Sequence, residues 1–208
     1  MGNLIKAVIF DLGNVLVDFD HMLAAKKIAF FTNKDPKEVF GLFFDSSLTG
    51  SFEEGKISPE DFFLEVKNML KLKIGYEEFL PIWNEIFFFT DKNRGVYDLA
   101  GVLQKKYKIA VLSNINILHH NYLKKEFFIF SPFNRVLTSY ELKARKPDPL
   151  IYKKTMDILG VSDPAEVFYT DDRPELIEAA GELGIKSFVF SEVEKLKINL
   201  IDSGIDIT

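Results

Sequence analysis

The sequence predicts an α/β fold: a doubly wound, Rossmann-like parallel sheet with helices on both faces and a helical subdomain inserted into it. Three observations carry this expectation. Short apolar, β-branched runs ending in polar residues recur at 4–10, 109–112, 135–138, 167–170 and 185–190. Helix-period segments alternate with them, which favours a parallel sheet covered on both faces. The first run is separated from the second by about a hundred residues, far more than one crossover helix needs, so an insertion lies between them.

The helices that follow the insertion read at 96–106, at 149–159 closed by Gly160, and at 174–183 closed by Gly184, with Pro149 and Pro174 at their starts. Inside the insertion, residues 24–31 and 36–44 read as helices. Ser58 is an N-cap with Pro59 at the first helical position of a third, which runs to about Lys71. A fourth spans 77–88. Residues 1–18 and 92–208 are therefore expected to form the Rossmann-like core, and 19–91 a helical cap over the strand ends.

A chain of 208 residues can bury one sizeable core and still carry such an insertion. With 47% apolar and 27% charged residues it is composed like a packed globular protein, which argues against disorder or a coiled coil. The 21 Phe against one Trp read as core and interface filling rather than a base-stacking platform. A net charge of −5, with Lys pairs at Lys26, Lys105, Lys124 and Lys153 scattered among acids, argues against nucleic acid as partner. The absence of Cys excludes disulfides, thiolate metal sites and cysteine catalysis. Met1-Gly2 resembles a myristoylation start, but Lys6 stands where Ser or Thr is required. With no leader pattern and no membrane-length apolar run, the expectation is a cytoplasmic protein, monomeric or weakly dimeric, with no membrane partner.

The chemistry is concentrated at strand tips. The first apolar run delivers Asp11 to the loop beyond it, where a carboxylate can coordinate a metal, attack phosphorus or simply cap a turn. The second run ends in Ser113-Asn114, whose hydroxyl and backbone amides can hold phosphate oxygens. The fourth ends in Asp171-Asp172, two adjacent acids that repel unless a cation sits between them and Asp11. Mg²⁺ meets that requirement, because it takes hard oxygen ligands and shares substrate phosphates. In Arg145-Lys146-Pro147-Asp148-Pro149, Pro147 holds Lys146 extended at a helix entrance, where its ammonium can offset anionic charge.

Asp, then Ser, then Lys-Pro, then an Asp pair, in this order and spacing across nearly the whole chain, resembles the haloacid dehalogenase superfamily, with a helical insertion like its type 1 cap. The Phe10-Asp11-Leu12-Gly13-Asn14-Val15 segment and Ser113, Asn114, Asn116 and His119 are similar to bacterial phosphatases acting on glucose 1-phosphate-like esters. The resemblance implies Asp11 as the nucleophile of an aspartyl-phosphate mechanism, with Ser113 and Lys146 on the phosphoryl oxygens. It implies Mg²⁺ held by Asp11, the Gly13 carbonyl and Asp172, with Asp171 as neighbouring ligand or water anchor. Asn14 and Asn114 are placed with the small phosphorylated substrate. Glu53, in the 49–58 segment read as the candidate cap loop, is placed against sugar hydroxyls, while His21, His119 and His120 are given structural roles.

One position departs from the family. Most phosphatases of the superfamily carry a second Asp two residues after the nucleophile as general acid, and this chain has Gly13. The metal-binding carbonyl survives and the acid does not, which favours esters with easy leaving groups, glycosyl 1-phosphates among them. Leu176 likewise stands where many relatives carry a further metal-shell residue. Two alternatives remain beside the phosphatase: a halide-removing enzyme of the same superfamily, disfavoured by the Asp171-Asp172 pair, and a catalytically impaired phosphate-ester binding or regulatory protein.

Overall fold

The computed structural model describes residues 4–44 and 46–208. Strand β1, Ala7–Phe10, is buried at every position, as expected of a strand covered on both faces. It begins later than the apolar pattern suggests, because Leu4 stands 74% exposed, outside the ladder. A tight turn after β1 leads to β2, Asp18–Phe19, which pairs antiparallel with β3, Phe87–Phe88, so the insertion leaves and re-enters through one short ribbon.

Among the described residues, five helices lie between these strands. The first, α1 (His21–Ala29), is capped by Asp20. Next come α2 (Pro36–Phe44) and α3 (Ser47–Glu53), the latter capped by Ser46. Then follow α4 (Pro59–Leu70), capped by Ser58, and α5 (Tyr76–Asn84). Two sequence expectations are corrected here. Residues 49–53 are helical rather than loop, since Ser46 caps the turn and Phe52 is driven into the core. The helix expected over 77–88 stops at Asn84, because Phe87 is needed to pair with Phe19. The helices share an apolar cluster of their own, where Phe52 stacks on Phe62 and Phe62 packs on Trp83. Much of the unusual Phe content is used there.

After β3 the chain alternates regularly. Helix α6 (Asp91–Leu103) is opened by a Thr90–Asn93 capping box. It leads to β4 (Lys108–Ser113), α7 (Ile117–Glu126), β5 (Arg135–Thr138) and a short α8 (Ser139–Leu142). Helix α9 (Pro149–Leu159) ends at Gly160 with φ 63°, a left-handed cap that Gly adopts without strain. The chain closes with β6 (Val167–Asp171), α10 (Pro174–Glu182), β7 (Lys186–Val189) and α11 (Val193–Asp202).

Apart from the β2-β3 ribbon, the strands form one parallel sheet in the order β5-β4-β1-β6-β7. Two apolar clusters cover its faces, one including Val96 of α6 and Leu200 of α11, the other Ile151 of α9 and Ala180 of α10. The chain winds outward from β1 through β4 to β5, then crosses back to β6 and β7. The reversal opens a crevice beyond the carboxyl ends of β1, β4 and β6, where open α/β sheets bind ligands. No helix among the described residues is long and apolar enough to cross a membrane.

Candidate active site

The crevice receives the residues that the sequence placed at strand tips. Asp11 follows β1 directly, its N–H donating to the Thr170 carbonyl of β6 at 2.9 Å, and its side chain is buried. Ser113 closes β4, and Asp171 closes β6 with no exposed surface. A cavity of about 200 Å³ opens over Asp11, Ser113 and Asp172, bounded on its other side by Glu53, Phe87 and His21 of the inserted region.

Lys146 is the hub. Its ammonium donates to Asp11 Oδ1 and to Asp171 Oδ2, each at 2.6 Å, to the Leu112 carbonyl at 3.0 Å, and lies 3.1 Å from the Tyr169 hydroxyl. Burial works against a charged lysine. The Asp11 and Asp171 carboxylates outweigh it and raise the Lys146 pKa above its usual value, so the ammonium persists at neutral pH. Burial pushes the Asp11 carboxyl upward, the Lys146 ammonium pulls it back down, and the Asp171 and Asp172 charges push it up again. Tyr169 makes a short hydrogen bond to Asp171, fixing that carboxylate from behind. Its own pKa is raised, first by burial and then by the same carboxylates.

Asn114, expected beside the phosphate, spends its side chain on the backbone of Lys146. Its amide donates to the Lys146 carbonyl and its oxygen accepts from the Lys146 N–H, both at 2.8 Å. The lysine is thereby held on both sides of its Cα, across the cis Lys146–Pro147 bond. Asn14, also expected beside the phosphate, sits at φ 57°, a left-handed conformation Asn tolerates well, and donates to Asp172 Oδ2 at 2.8 Å. Burial raises the pKa of Asp172 and this hydrogen bond opposes the shift.

The three carboxylates of Asp11, Asp171 and Asp172 each offer an oxygen within 4.8 Å of the others. A set of hard, anionic oxygens with open space above it fits a small divalent cation such as Mg²⁺. The two Asp171 oxygens already accept from Lys146, Tyr169 and the Arg173 N–H, so Asp11 and Asp172 are the freer donors.

Gly13 lines the cavity floor, and a Cβ built on it would lie 2.6 Å from Cε1 of Phe19. Across the cavity Glu53, the last residue of α3, pairs with Arg145 Nη2 at 2.7 Å, while its carbonyl accepts from Ser139 Oγ at 2.6 Å. Burial raises the Glu53 carboxyl from 4.5 to about 7 against the opposing pull of Arg145.

His119 and His120 are hydrogen-bonded within the fold. Asn116 Oδ1 accepts from the His119 N–H, so its amide nitrogen faces His119 Nδ1 and donates to it. The neutral Nε2–H tautomer then donates to the Trp83 carbonyl at 3.0 Å. Burial, with His21 beside it, lowers the His119 pKa to about 3, and burial lowers that of His21 to about 4. His120 is hydrogen-bonded to the Tyr140 hydroxyl. Sequence reasoning gave no role to Tyr169, Phe19 or Arg145. Of these only Arg145 carried a local signal, its place next to Lys146 in the Arg-Lys-Pro segment.

The family model for haloacid dehalogenase-like hydrolases matches residues 5–184. A D-ribitol-5-phosphate phosphatase of Bacteroides thetaiotaomicron is 27% identical over 191 residues, covering 89% of this chain and 91% of that one. The structure of a HAD-family enzyme from the same organism, in complex with magnesium and inorganic phosphate, superposes with a TM-score of 0.78 at 28% identity, covering 90% of this chain and 95% of that one. The structure of a predicted HAD-like family hydrolase from Porphyromonas gingivalis shares the fold, with a TM-score of 0.80 at 20% identity over 95% of this chain and 98% of that one.

Proposed function

The chain belongs to the haloacid dehalogenase-like hydrolases, and from that premise we propose that it is a magnesium-dependent phosphatase of small sugar or polyol phosphates. The observation that carries this reading is the Asp11 carboxylate, held 2.6 Å from Lys146 and clustered with Asp171 and Asp172 under an open cavity.

In this reading Asp11 attacks phosphorus in line, forms an aspartyl-phosphate, and is released when water attacks the same phosphorus. Against the upward push of burial Lys146 favours the ionised form of Asp11 and orients it, and its charge offsets that of the phosphoryl group as it transfers. The Ser113 hydroxyl and the backbone amide of Asn114, at the tip of β4, donate to phosphoryl oxygens. Asp11, Asp172 and the Gly13 carbonyl would hold Mg²⁺, with Asp171 behind them and Asn14 orienting Asp172. Bound there, the ion would supply positive charge to the phosphoryl oxygens.

Residues 19–91 serve as the cap that selects the alcohol part of the ester. The cavity sets the apolar Phe19, Phe87 and Leu176 beside the polar Glu53 and Arg145, a mixed wall suited to the carbon backbone and hydroxyls of a short polyol or sugar. A relative that acts on D-ribitol 5-phosphate supports this class. Gly13 taken alone favours glycosyl 1-phosphates within it, since an anomeric oxygen leaves more readily than a primary alkoxide.

The test is inorganic phosphate release with Mg²⁺ from a panel of glycosyl 1-phosphates, hexose 6-phosphates and pentitol 5-phosphates. The wild-type chain is expected to hydrolyse members of this panel and Asp11→Asn none. Silence from the wild type across the panel would replace this reading with that of a phosphate-ester binding protein. Halide release from haloacids that survives EDTA would replace it with a dehalogenase.

A further inference from the structure

Resting on that reading, we propose that Glu53, on the inserted helical region, is the proton donor to the leaving oxygen and the base for the attacking water, the work that position 13 cannot do.

Position 13 is closed to any acid. It carries no side chain, and the Phe19 ring fills the space a side chain would enter. Among the described ionisable groups lining the cavity, the others are committed or unsuited. Asp11 is the nucleophile and Asp172 is held by Asn14. Lys146 is locked between carboxylates. Both ring nitrogens of His119 are engaged in the fold, and His21, lowered by burial, is neutral at physiological pH with no proton to spare. Arg145 and Arg173 do not release protons. Glu53 remains.

Its placement fits the reaction. An in-line attack by Asp11 from the strand tips expels the leaving oxygen on the opposite side, toward the inserted helices. Glu53 faces the cavity from those helices. It is not loosely held: Arg145 grips the carboxylate, Ser139 Oγ holds its carbonyl, and Lys143 Nζ donates to the Gly55 carbonyl at 2.8 Å. Arg145 is the residue next to Lys146, so the carboxylate of Glu53 and that of Asp11 are each tied to one of two adjacent cations. The Nε of Arg145, buried and without a hydrogen-bond partner, is left as a donor for a further oxygen.

The charges acting on Glu53 are Arg145, Arg173 and Lys146 from the core, while on its own side Glu54 is paired with Lys56. Burial outweighs the three cations and sets the carboxyl at about 7, where an acid in one half-reaction can be a base in the next. In the first step an Asp11 oxygen bonds to phosphorus as the ester P–O bond breaks. Its electron pair goes to the leaving oxygen, which takes the Glu53 proton. In the second, water bonds to phosphorus, its proton returns to Glu53, and the bond from phosphorus to Asp11 breaks, regenerating both groups and releasing phosphate.

The experiment compares wild type, Glu53→Gln and Glu53→Asp with Mg²⁺ on two esters: ribitol 5-phosphate, whose alkoxide needs a proton, and 4-nitrophenyl phosphate, whose phenolate does not. For Glu53→Gln, kcat on the alkyl ester is expected to fall ~10²-fold or more with KM little changed, while kcat on the aryl ester falls only a few-fold. Glu53→Asp is expected to retain more alkyl-ester turnover than Glu53→Gln. The wild-type kcat for the alkyl ester should decline above pH of about 7, a limb absent in Glu53→Gln. Equal losses on both esters, or a loss confined to KM, would reduce Glu53 to a binding or cap-docking residue and overturn the proposal. Unchanged rates would also overturn it. None of these outcomes touches the phosphatase reading, which fails only if the wild type is inactive on both esters.

Discussion

The ring of Phe19 occupies the space that a side chain at Gly13 would fill, 2.6 Å from where its Cβ would stand. The loss of the acid two residues after Asp11 is therefore built into the surrounding packing, and a side chain restored there would have to displace the Phe19 ring. Gly13→Asp is expected to destabilise the protein by roughly 1–3 kcal/mol through overpacking. Adding Phe19→Ala should relieve the clash. A double-mutant cycle in urea unfolding measures this coupling, and simple additivity of the two changes would refute it.

Removing the hub cation should be costly. Lys146→Met leaves Asp11 and Asp171 buried and facing each other without their shared partner, and is expected to destabilise by about 3–5 kcal/mol. Adding Asp171→Asn removes one of the stranded charges and should recover part of that loss. Denaturant midpoints of wild type, single and double variants decide the matter.

Metal dependence should be sensitive to a residue that never touches the ion. Asn14 orients Asp172 through a 2.8 Å hydrogen bond, so Asn14→Ala is expected to raise the Mg²⁺ concentration for half-maximal activity by roughly 10- to 100-fold. Chelation by EDTA should abolish phosphate release from the wild type. An unchanged Mg²⁺ requirement in the variant would separate Asn14 from the metal site.

Acid should weaken the fold through His119. Its folded pKa is lowered by burial to about 3 from 6.5, so the unfolded chain takes up a proton below pH 6.5 that the folded chain refuses. Its contribution to stability is complete above pH 6.5 and is lost as pH falls toward 3. Unfolding free energies at pH 7, 5.5 and 4.5 should fall less steeply in His119→Asn than in wild type, with His21 present in both. Parallel slopes would show that His119 does not contribute.

The strand tips were legible because they are local. An apolar run ending in Asp11, another ending in Ser113 and a third ending in Asp171-Asp172 each state their place on a parallel sheet within a few residues. The helix starts at Ser58-Pro59 and at Pro149 were readable for the same reason, since an N-cap or a Pro at the first helical position acts on the turn beside it. The 49–53 helix was not. It is short and carries Gly50 in its middle, and the burial of Phe52 against Phe62 decides its conformation.

What the sequence by itself determined is the doubly wound sheet, the inserted helical region, and the identity of the groups brought to the crevice, Asp11 foremost, because period and punctuation are short-range properties. Only the tertiary structure decided how those groups are used. It set Lys146 between two carboxylates, turned Asn14 to Asp172 and Asn114 to the lysine backbone, closed position 13 with Phe19, and brought Glu53 to Arg145. Apart from the nearby Phe19 and Gly13, these contacts join residues far apart in the chain. Their existence depends on burial and charge balance in a shared cavity, which no local pattern encodes.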